Sequence, residues 1–273
     1  MIFKILTKLK RVISLGDKNP YYNNPFGESP LATRDEYLSI WENAKNESYP
    51  MIDEYELNMS HKIDSNWFHK LALHTQVVIK SSKICYQHGR ILFSTLCNYL
   101  ENNNVKKINI LDVGTARGFS AIVMASALDK MNVNGEIITI DPLPHHHKMY
   151  WNCIDDLESK KSRSEILSPY NQLINMYINF LEGEFQYAIK YLSFERIHFA
   201  FIDAIHKYEN VIHEFKYINQ FQKLGDIIIF DDYNNKLFPG VVKAVDEICQ
   251  NYNYTKKVIN ANSQRGYVVA TKY

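Results

Sequence analysis

The sequence predicts a doubly wound α/β fold: a mostly parallel, Rossmann-like, seven-stranded sheet with helices on both faces and an antiparallel strand at the C-terminus. Three observations carry this. Short apolar runs alternate with helical patterns from residue 108 to residue 251, as expected of parallel strands joined by crossover helices. The runs are continuous rather than alternating, which fits strands buried on both faces. Several end on acids: Asp141, Asp203 and the pair Asp231 and Asp232. In such sheets ligands bind beyond the carboxyl ends of the strands.

Composition narrows the classes. The chain has 273 residues, 46% of them hydrophobic, enough for one core plus an appended region. A net charge of +1 offers no basic face to nucleic acid. Cys85, Cys97, Cys153 and Cys249 form no C-x-x-C pair and fit neither a zinc site nor a disulfide framework. Reduced thiols in a cytoplasmic protein are expected. Lysines interrupt the apolar run of residues 1–16, so it reads neither as a signal peptide nor as a membrane span. Ile2, Ile5, Leu6, Leu9, Val12 and Ile13 share one helical face, opposite Lys4, Lys8 and Arg11. This basic amphipathic helix docks on its own domain or on a second copy of the chain, or lies on the inner face of a membrane.

Residues 1–104 are expected to form a helical and loop extension with lead-in helices, and residues 105–273 the sheet domain. Residues 17–60 are rich in turn signals, with one short helix from Thr33 to Lys45 carrying Thr33 and Glu36 as a capping pair. A helical pattern runs from Ser65 to Tyr86, and a second follows Gly89 to about Leu100. Strands are expected at residues 108–113, 135–140, 178–181, 197–202 and 227–230. Helices are expected at residues 119–128, 185–192, 208–221 and 240–251. Residues 254–258 and 267–271 read as a closing strand pair with Gly266 in the turn. The interval 142–177, with His145, His146 and His147, is too long for an ordinary connection and reads as a lid.

The first strand ends in Asp112-x-Gly114-x-x-x-Gly118. Gly114 allows a tight turn and Gly118 a close helix start. Asp141, at the end of the second strand, suits a ribose diol. A dinucleotide site would need G-x-G-x-x-G facing a pyrophosphate. Here Ala116 replaces the second glycine, and Asp112 suits an ammonium group better than a phosphate. A nicotinamide-dependent oxidoreductase is therefore the second choice. S-adenosylmethionine carries an ammonium, a sulfonium and a ribose, and no phosphate.

The segments ILDVGTARGFS and EIITIDP resemble motif I and the acidic post-motif of class I S-adenosylmethionine-dependent methyltransferases. The resemblance covers about residues 85–250. It implies that S-adenosyl-L-methionine is held by Asp112, Gly114, Thr115, Ala116, Gly118, Ser120 and Asp141, with the turn Gly183-Glu184 beside the adenine.

Asp203, Asp231 and Asp232 end neighbouring strands, about 4.8 Å apart, and would repel unless a cation joined them. Oxygen ligands suit Mg²⁺ or Mn²⁺. The segments FIDAIHKYE, IFDDY and FPGVVKAV resemble the metal-dependent O-methyltransferases, in particular the macrocin O-methyltransferase and methyltransferase 24 branch. That resemblance implies a metal on Asp203, Asp231 and Asp232. The second acid of that branch's I-D-G-D-H pattern is Ile205 here, so its role as base does not carry over. His206 is the replacement candidate, with Asp203 beside it. His88, His145 and Tyr233 are candidate substrate contacts. The expected activity is methylation of a hydroxyl on a sugar or other polyhydroxylated small molecule, in glycan or natural-product biosynthesis. The non-enzymatic alternative is a methyltransferase-like scaffold at a membrane surface.

Overall fold

In the computed structural model, residues 12–14, 20–103, 105–262 and 264–273 are described. The eight strands are β1 (Val12–Ser14), β2 (Lys107–Val113), β3 (Asn134–Asp141), β4 (Ile178–Glu182), β5 (Phe199–Ile202), β6 (Ile227–Phe230), β7 (Lys257–Asn262) and β8 (Arg265–Thr271). They form one sheet of order β1-β4-β3-β2-β5-β6-β8-β7. Strands β1 to β6 pair in parallel. Strand β8 runs antiparallel to both β6 and β7. The seven strands β2 to β8 make the expected Rossmann-like sheet, and β1 adds an eighth at the β4 edge. The chain leaves β2 in both directions, so the topological switch lies between β2 and β5, where ligands bind in such sheets.

The helices are α1 (Arg34–Lys45), α2 (Pro50–Met59), α3 (Ser65–Thr75), α4 (His88–Asn103), α5 (Phe119–Met131), α6 (Arg163–Ile166), α7 (Asn171–Tyr177), α8 (Phe185–Ala188), α9 (Tyr208–Asn219) and α10 (Pro239–Asn251). Strand residues alternate between two apolar layers. Ile110, Phe199, Phe201, Ile227 and Ile229 share a core with α2 to α5 and α7. Leu111, Val113, Ala200, Ile202, Ile228 and Phe230 share one with α8, α9 and α10. This two-sided burial explains the continuous apolar runs.

Four local expectations change. Val12 and Ile13, assigned to an amphipathic helix, lie in β1, whose backbone pairs in parallel with β4. Residues 1–11 of that expected helix lie outside the described residues. The helix from Ser65 stops at Thr75, not Tyr86. There the Thr75 hydroxyl donates back to the Leu71 carbonyl at 2.7 Å, which competes with continued helix. Beyond it, the Asn152 side chain bonds both the N–H and the C=O of Ile79, each at 2.9 Å, and so holds this stretch extended.

Within the stretch read as turns, α2 forms. It starts on Pro50, which suits a first helical turn, and it buries Ile52, Tyr55 and Glu56. Glu56 is ion-paired with Arg90 of α4, a partner that sequence spacing does not reveal. Gly266 is not in the β7–β8 turn. It lies in β8, where a Cβ would fall 2.5 Å from the Tyr233 carbonyl oxygen. The Thr33–Glu36 capping box is present, with the Thr33 N–H donating to Glu36 Oε2 at 2.7 Å and the Glu36 N–H to Thr33 Oγ1 at 3.3 Å. Among the described residues no helix is long and apolar enough to cross a membrane.

One buried carboxylate ties three parts of the sheet together. Asp226, just before β6, is fully buried. It accepts from Arg196 Nη2 at 2.7 Å and Nε at 3.0 Å, from the Tyr99 hydroxyl of α4 at 3.0 Å, and from the Lys223 N–H at 2.6 Å. Removing one member of such a set leaves uncompensated buried polar groups. Asp226→Ala is expected to lower the unfolding free energy by about 3–5 kcal/mol, measured by urea denaturation. Lys45→Ala, which breaks the exposed pair with Glu42, is expected to change it by about 0.5 kcal/mol or less.

Candidate active site

The loop between β2 and α5 crosses the sheet at the switch point. Gly114 has φ +104°, and a Cβ there would fall 2.1 Å from the Asp203 carbonyl oxygen. Gly118 has φ +94° and faces Leu167, whose Cδ1 would lie 2.6 Å from a Cβ. Ala116 is left-handed at φ 44°, an uncommon state for a residue with a side chain. Its N–H donates to Asp141 Oδ2 at 2.8 Å.

Asp112 lies under the loop, fully buried. Its Oδ2 accepts from Thr139 Oγ1 at 2.6 Å and Ser120 Oγ at 3.0 Å, and Oδ1 has no partner. Burial pushes its pKa up to about 7, against those two hydrogen bonds. Thr115 bonds Thr139 through their hydroxyls. The hydroxyls of Thr115 and Ser120 therefore tie the loop to Thr139 and Asp112.

Asp141 is engaged on both oxygens. Besides Ala116, it accepts from the Leu143 N–H at 2.7 Å, and Arg163 Nη2 stands 3.6 Å from Oδ1. Burial raises its pKa, opposed by Arg163 and the two backbone donors.

Arg163 comes from the 142–177 interval and was not singled out by sequence. It is buried, with Nε donating to the Ala116 carbonyl at 2.8 Å and Nη2 to the Leu143 carbonyl at 2.9 Å. Arg117, also buried, donates from the glycine loop to the Trp151 carbonyl, Nε at 2.8 Å. The interval is thus clamped to the loop by two guanidinium groups. Trp151 packs within it, beside Met149, Cys153 and Ile166.

At the ends of β5 and β6, Asp203, His206 and Asp232 each offer one ligand atom, all within 4.8 Å of one another. His206 Nε2 lies 2.9 Å from Asp232 Oδ2 and 3.4 Å from Asp203 Oδ1. Burial disfavours the charged imidazole, but hydrogen bonds to the two carboxylates win and push its pKa up to about 10. Arg265 pairs with the other oxygen of Asp232. For Asp232, burial acts to raise the pKa, and His206 and Arg265 together hold it below the usual value. Asp231 stands outside the group. Its Oδ1 accepts the Asp232 N–H at 2.6 Å and its Oδ2 lies 3.8 Å from His88 Nδ1. Burial, then Asp203 and Asp232, raise its pKa well above the usual range.

A cavity of about 550 Å³ opens over the switch point, lined by Gly114, Ala116, Asp141, Gly183, Glu184 and Asp203 among others. The proposed substrate contacts are not among its lining residues. The His88 ring is buried, stacked on Phe201 at 5.7 Å. His145 stacks on Phe180 at 4.0 Å inside the insertion. The Tyr233 hydroxyl turns to Asp246 of α10 at 2.7 Å. In their place the wall takes Tyr21 and Phe26 from the N-terminal segment and Glu214 from α9. Local sequence carries no signal for the first two, since their role depends on how residues 20–31 cross the sheet.

Residues 111–233 match the family model described as a methyltransferase domain. The fold is shared with solved O-methyltransferases at low identity. The enzyme from Bacillus cereus in complex with SAH is 16% identical, with a TM-score of 0.50 over 88% of this chain and 96% of that one. TomG from Streptomyces achromogenes, involved in tomaymycin synthesis and solved with SAM, is 15% identical, with a TM-score of 0.52 over 77% of this chain and 91% of that one. No curated relative matches in sequence. Residues 111–233 thus match a methyltransferase domain, and the sheet has the fold of those O-methyltransferases.

The glycine positions separate two costs. Gly27 and Gly114 have nearly the same φ, +108° and +104°, but a Cβ at Gly27 meets only Leu31 Cδ2 at 3.7 Å. Gly27→Ala is expected to cost about 1 kcal/mol from backbone strain alone, and Gly114→Ala about 3 kcal/mol or more because the β2 and β5 ends must part. Parallel thermal unfolding of the two variants checks this.

Proposed function

We propose that this chain is an S-adenosylmethionine-dependent O-methyltransferase that acts on a hydroxyl of a sugar or another polyhydroxylated small molecule, assisted by a divalent cation. One observation carries the reading: Asp203 belongs to both halves of the site. Its backbone carbonyl abuts Gly114 of the cofactor loop. Its carboxylate joins His206 and Asp232, and the residue lines the cavity. A methyl donor seated on the loop and an acceptor held at the acids would therefore meet across one residue.

The cavity fits S-adenosylmethionine at its floor. Gly114 lines it, and in the preceding strand Asp112 keeps one carboxylate oxygen without a partner, which suits the field of an ammonium group. Asp141 lines the ribose side, with its orientation set by Ala116, Leu143 and Arg163.

The acid group also fits a divalent cation. The Asp203 and Asp232 carboxylates converge beside the His206 imidazole, and their oxygens would hold Mg²⁺ or Mn²⁺ while the imidazole stays free to take a proton. When bound, such a cation would lower the pKa of a coordinated acceptor hydroxyl. The chain's own residues do the rest. Asp203 and Asp232 orient the acceptor, and Arg265 holds Asp232 in place. His206 accepts the acceptor's proton once the carboxylates that keep it protonated are engaged by the ligand. Wall residues exclude water and hold the hydroxyl in line with the sulfonium methyl, so positioning supplies most of the rate.

A small-molecule acceptor is in keeping with the O-methyltransferase neighbours, and the neutral overall charge argues against nucleic acid. The sugar class rests on the resemblance to the macrocin O-methyltransferase branch.

Two measurements test this. With Asp112 raised to about 7, its carboxylate predominates only above that pH. Affinity for S-adenosylhomocysteine is expected to rise by up to about tenfold per pH unit below 7 and to level off above it. Asp112→Asn is expected to flatten the profile in titration calorimetry; a flat wild-type profile would remove Asp112 from the cofactor site. Methyl transfer to a vicinal diol is expected to stop with EDTA and return with Mn²⁺. Full activity in EDTA would overturn the metal part and leave the transferase standing.

A further inference from the structure

Glu214 is a buried carboxyl that the proposed reaction does not use. It sits on the inner face of α9 at 2% exposure and lines the cavity. Its Oε2 has no hydrogen-bond partner. Buried polar atoms without partners are costly and uncommon, so each one calls for a group that satisfies it. The preceding residue, His213, meets Phe185 edge-on at 6.0 Å. Asn210, His213 and Glu214 share one face of α9 and line the cavity together with Gly183, Glu184 and Phe185.

The chemistry of the group narrows its ligand. Burial pushes the pKa of Glu214 up to about 8, with His206 opposing and Asp203 adding to the shift. At neutral pH the group is a carboxylic acid, an O–H donor beside a carbonyl acceptor. The matching edge has an amine beside a ring nitrogen, as adenine does. Glu184, on the same side, is exposed and its carboxylate already takes Gln186 Nε2 at 3.0 Å.

We propose that Glu214 reads the base of the cofactor, its carbonyl oxygen accepting from the exocyclic amine and its hydroxyl donating to the neighbouring ring nitrogen. This rests on the S-adenosylmethionine reading of the cavity. It gives α9 a binding role in addition to its packing role.

The test is titration calorimetry of the full chain with S-adenosylhomocysteine and with its analogue whose base is unsubstituted purine, lacking the amine. The wild type is expected to bind the analogue about tenfold more weakly. Glu214→Gln, a neutral donor and acceptor of the same shape, is expected to keep that ratio. Glu214→Leu is expected to bind S-adenosylhomocysteine about tenfold more weakly and to lose most of the ratio. Its melting temperature should not fall, because no hydrogen bond of the free protein is removed, and this separates lost recognition from lost folding. Glu214→Leu with wild-type affinity and an unchanged ratio overturns the assignment. A wild-type chain that binds neither compound overturns the cofactor reading itself, and this assignment with it.

Discussion

The passage of the glycine loop across the end of β5 is the contact on which the site depends. Gly114 lies so close to the Asp203 carbonyl that residue 114 has no room for a Cβ. That closeness is not local. It follows from parallel pairing of β2 with β5, in which Val113 sits opposite Ile202 and the Asp203 N–H donates to the Val113 carbonyl at 2.9 Å. The register that buries Phe199 and Phe201 on one face thus also delivers Asp203 against the loop. Core packing and site geometry are set by the same strand pairing, and one cannot shift without the other.

Around this contact the insertion is tied to the loop by buried charged groups. A lid opens by breaking few and weak contacts. Here two buried guanidinium groups bridge insertion and loop, Arg163 to Ala116 and Leu143, Arg117 to Trp151. Opening would strand buried charges, which costs several kcal/mol per ion. Trp151, fully buried, anchors the same piece, and its indole N–H donates to the Lys161 carbonyl at 2.7 Å. The left-handed Ala116 fits this picture. Its N–H and its carbonyl are both held, by Asp141 and by Arg163, so the surroundings over-determine a backbone state that alanine would not choose.

What the sequence made legible follows the range of the forces involved. Strands β2 to β6, the capping box at Thr33 and the glycine turn rest on neighbours within a few residues, and periodicity and residue type report them. The acids at the strand ends were legible as a set because parallel strands end together. Their division was not. Asp231 and Asp232 are adjacent in sequence, yet one turns inward to His88 and the other outward to His206 and Arg265. A left-handed φ of 54° at Asp232 makes that split, and no pattern in F-D-D-Y announces it. The same holds for His145 and Tyr233. Both are residues that often touch ligands, and both are claimed by partners far along the chain, Phe180 and Asp246. Arg163, Arg265 and Glu214 went unread for the converse reason: their chemistry comes from what they face, not from what flanks them.

The charge balance at the acids ties these points together. Three carboxylates at the ends of β5 and β6 would repel. The protein answers within its own chain, with Arg265 on Asp232, His206 between Asp232 and Asp203, and Lys80 within electrostatic reach of all three. A cation bound there, as proposed, would not need to replace every counter-charge. It would compete chiefly with the proton on His206, because Arg265 holds the opposite oxygen of Asp232. Binding the cation and freeing the imidazole would then be one exchange of charge at the same two carboxylates. That exchange would place activation of the acceptor and the base that completes it at a single point, one residue from the cofactor loop.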